Sequence, residues 1–395
     1  MEAELKLETE HQSNWSYLLN LIIFLSVTYL VFINFYTSLT VLPMYVISLG
    51  GSEFFAGLQA TLFYIAAVIM RIYFGPLTDT KGRKLPLIIG TVAFGTAPLL
   101  FLLSQNIWML MLARIYQAVG LAAFLSSGSS LVADLAPQSK LGTYMGIYRL
   151  VNTFALLSGP AIAMIIIKNF NYSVWFQLAF ILGLLSIAMM LLVRAPKVTL
   201  SQSRDSLKWF IEVLNNRLFW PVYGSIAVVS VGYGVLLTFA SLFLSQATEL
   251  SNPAIYFTYF GLAGIVGNLS AGYLSDRFGR IRIIIPSLFL LGVGTLILFF
   301  ASAAAWLLFI SSILAGLGFS GGLLTAIAWL IDLADTKLRG TVLAIQESTI
   351  DLSIGLGSFL FGIASGWVGM GIAFAAAGFF IALSAGCLLI IQRSL

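Results

Sequence analysis

The hydrophobic pattern is a series of long apolar runs separated by short polar stretches, and it predicts a chain of membrane-spanning helices. Each run is close to or above the roughly 20 residues that a helix needs to cross a bilayer. No run alternates polar and apolar side chains, as the strands of a membrane barrel do. Twelve spans are predicted, at 17–46, 54–77, 85–103, 107–131, 142–167, 173–193, 218–245, 253–274, 283–302, 305–331, 341–367 and 370–392.

The composition excludes a soluble globular protein and leaves a multi-pass membrane protein. Of the 395 residues, 60% are hydrophobic and 9% are charged. With both termini in the cytoplasm, sixteen lysines and arginines lie in cytoplasmic segments and Lys168 alone lies outside. This bias follows the positive-inside rule, and it accounts for the net charge of +5 without a nucleic-acid partner. The acidic first residues run directly into a span, so no cleavable signal peptide is expected.

The chain is expected to be a duplication of six spans. Asp332 and Gly340 in the second half lie 198 residues after Asp134 and Gly142 in the first. The predicted organisation is a cytoplasmic tail at 1–16, with residues 1–14 expected to lack regular structure, a six-helix bundle at 17–193, a linker at 194–217 and a second bundle at 218–395. Apolar residues recur at helical spacing within the linker and predict a short helix on the membrane surface. Duplicated bundles are typical of transporters, with the substrate site between the halves.

A charged loop motif recurs after spans 2 and 8. It consists of a glycine, an aspartate four residues on and, after two more residues, a Gly-Arg pair. The motif occupies Gly75, Asp79, Gly82, Arg83 and Lys84, and again Gly272, Asp276, Gly279 and Arg280. Twelve spans in two sixes with this loop in each half resemble the major facilitator superfamily. The resemblance implies an all-α membrane transporter made of two pseudo-symmetric six-helix bundles.

The resemblance also implies gating roles for these loops. In the family, the aspartate lies against the start of helix 11, and the arginine pairs with an acid below helix 4. A helix N-terminus favours a nearby carboxylate because it carries partial positive charge. Such contacts hold the outward-open state and break in the inward-open state. The implied gating residues are Asp79, Arg83, Asp134, Asp276, Arg280, Asp332, Gly75 and Gly82.

Two further signatures of the family are partly present. Arg114 and Gln117 in span 4 resemble its Arg-x-x-Gln-Gly motif, which is linked to proton coupling, although the glycine here is Gly120. Span 5 contains Gly159 and Pro160 from the signature of proton-coupled exporters, where Pro160 is expected to kink the helix. The other glycines of that signature are replaced by Ala155, Ala163 and Met164.

Five ionisable residues lie inside apolar runs: Arg71, Arg114, Arg149, Glu347 and Asp351. Each costs about 2.5–3.5 kcal/mol or more at a helix centre, so such residues normally serve a site or a buried pair. Arg114 is predicted to bind substrate and to modulate proton coupling, unless its cluster is only an interhelical hydrogen-bond network. The predicted substrate-binding residues are Asn34, Arg114, Gln117, Arg149, Tyr36 and Tyr233.

Three of the remaining charges have a predicted role, and each has a structural alternative. Glu347 lies 198 residues after Arg149, so the two are expected to face each other, either as a gate or as a static ion pair. Asp351 follows Glu347 by one helical turn, and two such carboxylates are typical of proton carriers. The alternative is that Asp351 accepts hydrogen bonds from nearby hydroxyls. The role of Arg71 is left open, and one expectation is that its side chain only extends to the membrane surface.

The predicted function is proton-coupled export of a small organic molecule, anionic or zwitterionic, by alternating access. A proton-coupled importer of an organic anion or sugar is the alternative, since the exporter signature is incomplete. A membrane-embedded enzyme is a remote alternative, because the chain has one histidine, one cysteine and no nucleotide-binding loop. No cofactor or metal is expected. The partners are substrate, protons and the lipid bilayer, and the protein is expected to act as a monomer in the plasma membrane, as in a bacterial inner membrane.

Overall fold

The computed structural model describes residues 2–137, 140–195, 213, 215–335 and 339–394. Regular structure in these ranges is helical throughout, which confirms the predicted all-α class. The twelve long helices are α1 (Glu2–Ser48), α2 (Glu53–Thr80), α3 (Lys84–Leu103), α4 (Ile107–Leu135), α5 (Leu141–Asn169), α6 (Tyr172–Leu192), α7 (Trp220–Ala247), α8 (Ile255–Phe278), α9 (Arg280–Ile297), α10 (Leu307–Leu333), α11 (Arg339–Val368) and α12 (Met370–Ser394).

Eleven of these helices contain a span long and apolar enough to cross a membrane. The exception is α8, whose tyrosines, glycines and Asn268 dilute its apolar residues. The expectation of an irregular N-terminal tail is wrong, because α1 begins at Glu2 and continues into the first span without a break. The predicted surface helix of the linker falls almost entirely outside the described residues.

Each bundle is held together by close helix crossings at small residues. A Cβ added to Gly95 on α3 would lie 2.8 Å from the carbonyl oxygen of Gly183 on α6. The second bundle repeats this crossing between α9 and α12, where a Cβ added to Gly292 would lie 2.7 Å from the carbonyl oxygen of Gly378. Helices that touch backbone to backbone gain van der Waals contact that lipid cannot replace. The duplication seen in the sequence is therefore also a duplication of packing.

The two bundles meet mainly along the helix pairs α2 with α11, α5 with α8 and α1 with α7, with a smaller contact between α2 and α7. We call the end of the molecule with the α2–α3 and α8–α9 loops the basic end, since Lys81 and Arg280 lie there. The α1–α2 and α11–α12 connections lie at the opposite end. This arrangement surrounds a central region between the bundles, which is where the charged and polar residues of the spans converge.

Candidate functional site

The charged loops at the basic end form two mirrored ion pairs. Arg83 Nε lies 3.1 Å from Asp134 Oδ2 in the first bundle. Arg280 Nε lies 2.8 Å from Asp332 Oδ2 in the second, and a further nitrogen of Arg280 pairs with Asp276. These are the pairs that the resemblance implied. The side chain of Asp79 lies outside the described part of the structure, so its expected contact with the start of α11 is not tested.

Glycine at the turn of each loop has a conformational reason. Gly82 has φ +83° and Gly279 has φ +94°, a left-handed region that side chains with a Cβ rarely adopt. These turns bring the following arginine back over the end of the preceding helix, where Arg83 also donates to the carbonyl oxygen of Thr78 at 3.1 Å. The turn geometry therefore positions each arginine for its ion pair.

Arg114 is fully buried within the first bundle and has no carboxylate within 4 Å among the described residues. One of its guanidinium nitrogens donates to Gln117 Oε1, and the guanidinium carbon lies 4.1 Å from the centre of the Phe63 ring. Its Nε and Nη2 have no hydrogen-bond partner in the described structure. A buried cation with two unused donors is costly unless an anion joins it.

The predicted partner Asn34 makes no hydrogen bond to Arg114 in the described structure. Its amide nitrogen donates instead to the carbonyl oxygen of Ala179 on α6, at 3.3 Å. The connection from Gln117 to α1 runs through Ser38, which accepts from Gln117 Nε2 at 2.8 Å and donates to the backbone carbonyl of Asn34 at 2.6 Å. The cluster around Arg114 therefore connects to α1 through Ser38, and a substrate-binding role for Asn34 stays a prediction.

Asp351 forms an ion pair with Arg71 across the interface between the bundles. Arg71 Nη2 lies 2.6 Å from Asp351 Oδ2, and the aspartate is 4% exposed. The expectation that Arg71 extends to the membrane surface is wrong, and so is the alternative of hydroxyl partners for Asp351. Arg71 Nη1 is buried without a partner in the described structure. One strong pair therefore ties α2 to α11.

The predicted pair of Arg149 and Glu347 does not form in the described structure. Arg149 is exposed, and Glu347 accepts a 3.2 Å hydrogen bond from the side chain of its neighbour Gln346. The two positions are equivalent in the repeat, but their side chains make no ion pair within 4 Å in the described structure.

Tyrosines from both bundles meet in the central region. Tyr36 on α1 donates to Asn152 Oδ1 on α5 at 2.5 Å, and the hydroxyl of Tyr233 on α7 lies close to that of Tyr36. Tyr233 in turn stacks on Phe319, with ring centres 3.9 Å apart and planes inclined by 15°. The two tyrosines predicted from the sequence are thus brought together, and Asn152 joins them. This arrangement offers polar hydroxyls beside a flat aromatic wall.

The bundles are packed most closely toward the opposite end. There the Thr61 hydroxyl donates to the carbonyl oxygen of Gly355 at 2.8 Å, and a Cβ added to Gly57 would overlap the carbonyl oxygen of Ser358. At the basic end, a Cβ added to Gly75 or Gly146 would meet nothing within 4 Å. The backbones of the two bundles therefore touch directly toward the opposite end.

Gly159 and Pro160 lie inside α5, which runs unbroken from Leu141 to Asn169. A Cβ added to Gly159 would lie 3.3 Å from the Thr37 methyl group on α1. Gly159 thus permits the close approach of α1 and α5. Whether Pro160 bends the helix remains a prediction.

Sequence reasoning missed Arg71, Asn152, Tyr64 and Ser38 as parts of the site. The position of Arg71 inside an apolar run indicated a possible functional role, but its location near the helix end favoured a role at the membrane surface. Tyr64 on α2 is 2% exposed, and it lies near both Arg114 and Asp351. Asn152, Tyr64 and Ser38 had no signal in the sequence, because polar residues of these types are common in spans. Only the packing of the helices shows that these three residues lie at the site.

Comparison with known proteins agrees with this architecture. A family model described as Major Facilitator Superfamily matches residues 24–267 and 225–394. An uncharacterized MFS-type transporter of Methanocaldococcus jannaschii is 22% identical, covering 84% of this chain and 87% of its own length. The quinolone resistance protein NorA of Staphylococcus aureus is 25% identical over 74% of this chain and 76% of its own.

Solved structures share the same fold. A crystal structure of the nucleoside transporter NupG superposes with a TM-score of 0.82 at 13% identity, covering 93% of this chain and 99% of that one. The family match extends over both bundles, and the proteins compared are transporters rather than enzymes. This chain belongs to the Major Facilitator Superfamily and is a multi-pass membrane transporter.

Proposed function

We propose that this transporter is a proton-coupled exporter of a small anionic or zwitterionic organic molecule that works by alternating access. The observation that carries the proposal is the buried Arg71–Asp351 ion pair, which joins the two bundles. A carboxylate in this position links its own protonation to the contact between the bundles. NorA, a relative named for quinolone resistance, supports the export direction.

The coupling step follows from the charges at the pair. When Asp351 takes up a proton, it loses the negative charge that compensates Arg71, and a buried arginine without its partner is unfavourable. Arg71 then no longer holds α2 against α11, so the bundles are free to change their contact. Loss of the proton restores the pair. Glu347, one helical turn nearer the basic end, is the proposed second carboxylate on the proton's path.

The proposed substrate site lies around Arg114. Its two unpartnered nitrogens suit a carboxylate or another anionic group of the substrate, since charge-assisted hydrogen bonds are the strong ones. Tyr36, Tyr233 and Asn152 offer polar contacts, and the Tyr233–Phe319 stack suits a planar apolar part. Phe63 covers the guanidinium, so its ring must move for a substrate to reach Arg114.

The positive-inside bias places the basic end and both termini in the cytoplasm. The described conformation then corresponds to an inward-open state, closed at the outer end by the α2–α11 packing. The ion pairs Arg83–Asp134 and Arg280–Asp332 are intact in this state, contrary to the expectation that they break on inward opening, and each holds its loop to its own bundle. We propose that these ion pairs act as a gate. They position Asp79 and Asp276, so that the two aspartates contact the other bundle in one state and lose that contact in the other. The membrane is then the plasma membrane, as in a bacterial inner membrane.

A proton-coupled importer is the second candidate. It is supported by the replacement of three glycines of the exporter signature by Ala155, Ala163 and Met164. It is also supported by the similarity in fold to a nucleoside transporter. In an importer, Arg71 and Asp351 would have the same coupling role, and the proton and the substrate would move in the same direction.

Reconstitution in liposomes separates these functions. We expect a zwitterionic quinolone used as probe to accumulate when the lumen is more acidic than the exterior, because an exporter exchanges protons for substrate. An importer would instead accumulate the probe when the exterior is the more acidic side. Protein-free liposomes under the same gradients are the control. Accumulation of the probe that does not depend on the pH gradient would contradict both coupled mechanisms.

Arg114→Gln should weaken binding of the quinolone about tenfold or more, because a hydrogen bond to a charged group contributes about 1.5–3 kcal/mol. Binding to purified protein is measured for the acid and for its methyl ester, which lacks the carboxylate charge. We expect the variant to lose the preference for the acid. Arg282→Gln is the matched control, since Arg282 is exposed at the basic end, outside the proposed substrate site, and its loss should change binding little. Equal binding of acid and ester by the unmodified protein would contradict the assignment.

A further inference from the structure

We propose that the outer surface of the second bundle holds a binding site for one anionic phospholipid. The site is a groove of about 460 Å³ between α7, α9 and α12 at the basic end, which we call the α7–α12 groove. It is separate from the central region, because it opens on the face of the bundle that is turned away from the first bundle. The residues on which the argument rests are Arg217, Trp220, Gly224, Leu288, Cys387 and Leu388.

The floor of the groove suits an acyl chain. Its lining is apolar over most of its length, with Leu288 and Leu388 at its base. Gly224 is exposed, and a Cβ added there would meet nothing within 4 Å, so the groove stays open along α7. A hydrocarbon chain that fills such a groove removes apolar surface from contact with disordered lipid and gains close packing.

The mouth of the groove suits a negatively charged headgroup. Arg217 is exposed there, and no carboxylate of the described residues lies within 4 Å of it. Its guanidinium carbon lies 5.9 Å from the centre of the Trp220 ring. Tryptophan favours the level of the lipid headgroups, which places Arg217 beside the phosphates. The charge is thus available to a ligand at the depth where lipid phosphates lie.

The start of α7 lies directly beside Arg217. A single 3₁₀ turn at Arg217–Phe219 leads into the helix, the backbone N–H of Leu218 donates to Asn216 Oδ1 at 3.0 Å, and the N–H of Trp220 donates to the carbonyl oxygen of Arg217. The helix start therefore contributes the positive end of its dipole to the attraction for a phosphate, rather than free N–H groups. Arginine, indole and helix start together favour an anionic lipid over a neutral zwitterionic one. A basic pocket between spans at the cytoplasmic side is a recognised arrangement for such lipids.

The chain's only cysteine provides a direct test, because Cys387 lines the groove and is exposed. The full-length protein is placed in nanodiscs of phosphatidylcholine with increasing phosphatidylglycerol, and the rate of Cys387 modification by a membrane-permeant maleimide is measured. We expect phosphatidylglycerol to slow the reaction about fivefold, which corresponds to the contribution of one arginine near an anionic surface. The slowing should saturate, because one site is being filled.

Two variants distinguish a site from a general effect of the lipid. Arg217→Gln should lose the slowing, whereas Arg282→Gln, which removes an exposed charge at the same end outside the groove, should retain it. Gly224→Leu fills open space and should slow modification in every lipid. The proposal is overturned if phosphatidylcholine alone protects Cys387 equally, if both arginine variants behave alike, or if protection depends on protein concentration, which would indicate a second copy of the chain.

Discussion

Asp351→Asn is expected to abolish proton-driven accumulation of substrate while leaving substrate exchange across the membrane intact. Asparagine cannot exchange a proton with solvent, so the contact at Arg71 no longer responds to the pH gradient. Exchange needs only the movement of a loaded site, which requires no net proton transfer. Gradient-driven uptake and counterflow are measured in the same liposomes. Asp335→Asn, an exposed carboxylate after α10, is the matched control and should support full uptake.

Asp351→Asn also leaves Arg71 buried without its charge partner, which typically costs about 3–5 kcal/mol of stability. The double variant Arg71→Gln/Asp351→Asn removes both charges and separates the two effects. If the pair is only structural, the double variant recovers both stability and proton-driven uptake. We expect it to recover stability alone. Recovery of uptake would overturn the role of Asp351 as the proton carrier.

Gly57→Leu is expected to stop transport by preventing closure at the end opposite the basic end. A Cβ at this position overlaps the backbone carbonyl of Ser358, which cannot move as a flexible side chain can. The described state requires α2 and α11 to touch here, so the variant should populate the state in which these ends are apart. Transport should fall to the level of protein-free liposomes, since alternating access needs both states.

The distance between the two outer helix ends reports this shift directly. Spin labels at the start of α2 and the end of α11, in a background with Cys387 replaced by serine, should show a single longer distance in Gly57→Leu. Gly366→Ala on α11 is the matched control, because a Cβ there meets open space. An unchanged distance together with normal transport would mean that the described packing is not a working state of the protein.

The fold could be predicted in most of its detail from the sequence. Twelve apolar runs are enough to predict a helical bundle, because a segment that crosses a bilayer must satisfy its backbone hydrogen bonds internally. The thickness of the bilayer then sets the length of each helix. The loop motif could also be predicted, since Gly82 and Gly279 have the positive φ that the turn requires. The N-terminal extension of α1 over residues 2–16 was not predicted, because a polar composition does not by itself indicate whether a segment forms a helix.

The site was only partly predictable. Arg114 and Asp351 were found because burying a charge in a membrane is costly enough to demand a reason. The partner of Asp351 was missed, since it lies 280 residues away in the other bundle. Asn34 was included because its depth matches that of Arg114, but depth leaves the direction of a side chain undetermined. Its amide bonds to Ala179 on α6 instead.

The sequence by itself determined the all-helical membrane class of this protein, its long apolar runs, its duplication and the residues whose charge needs an explanation. These properties depend on local composition and on the energy of placing each side chain in a bilayer. The tertiary structure alone decided that Arg71 pairs with Asp351, that Arg149 and Glu347 stay apart, and that the bundles touch at Gly57. Such contacts depend on how the two bundles are oriented relative to each other, and the composition of the individual spans does not specify that orientation.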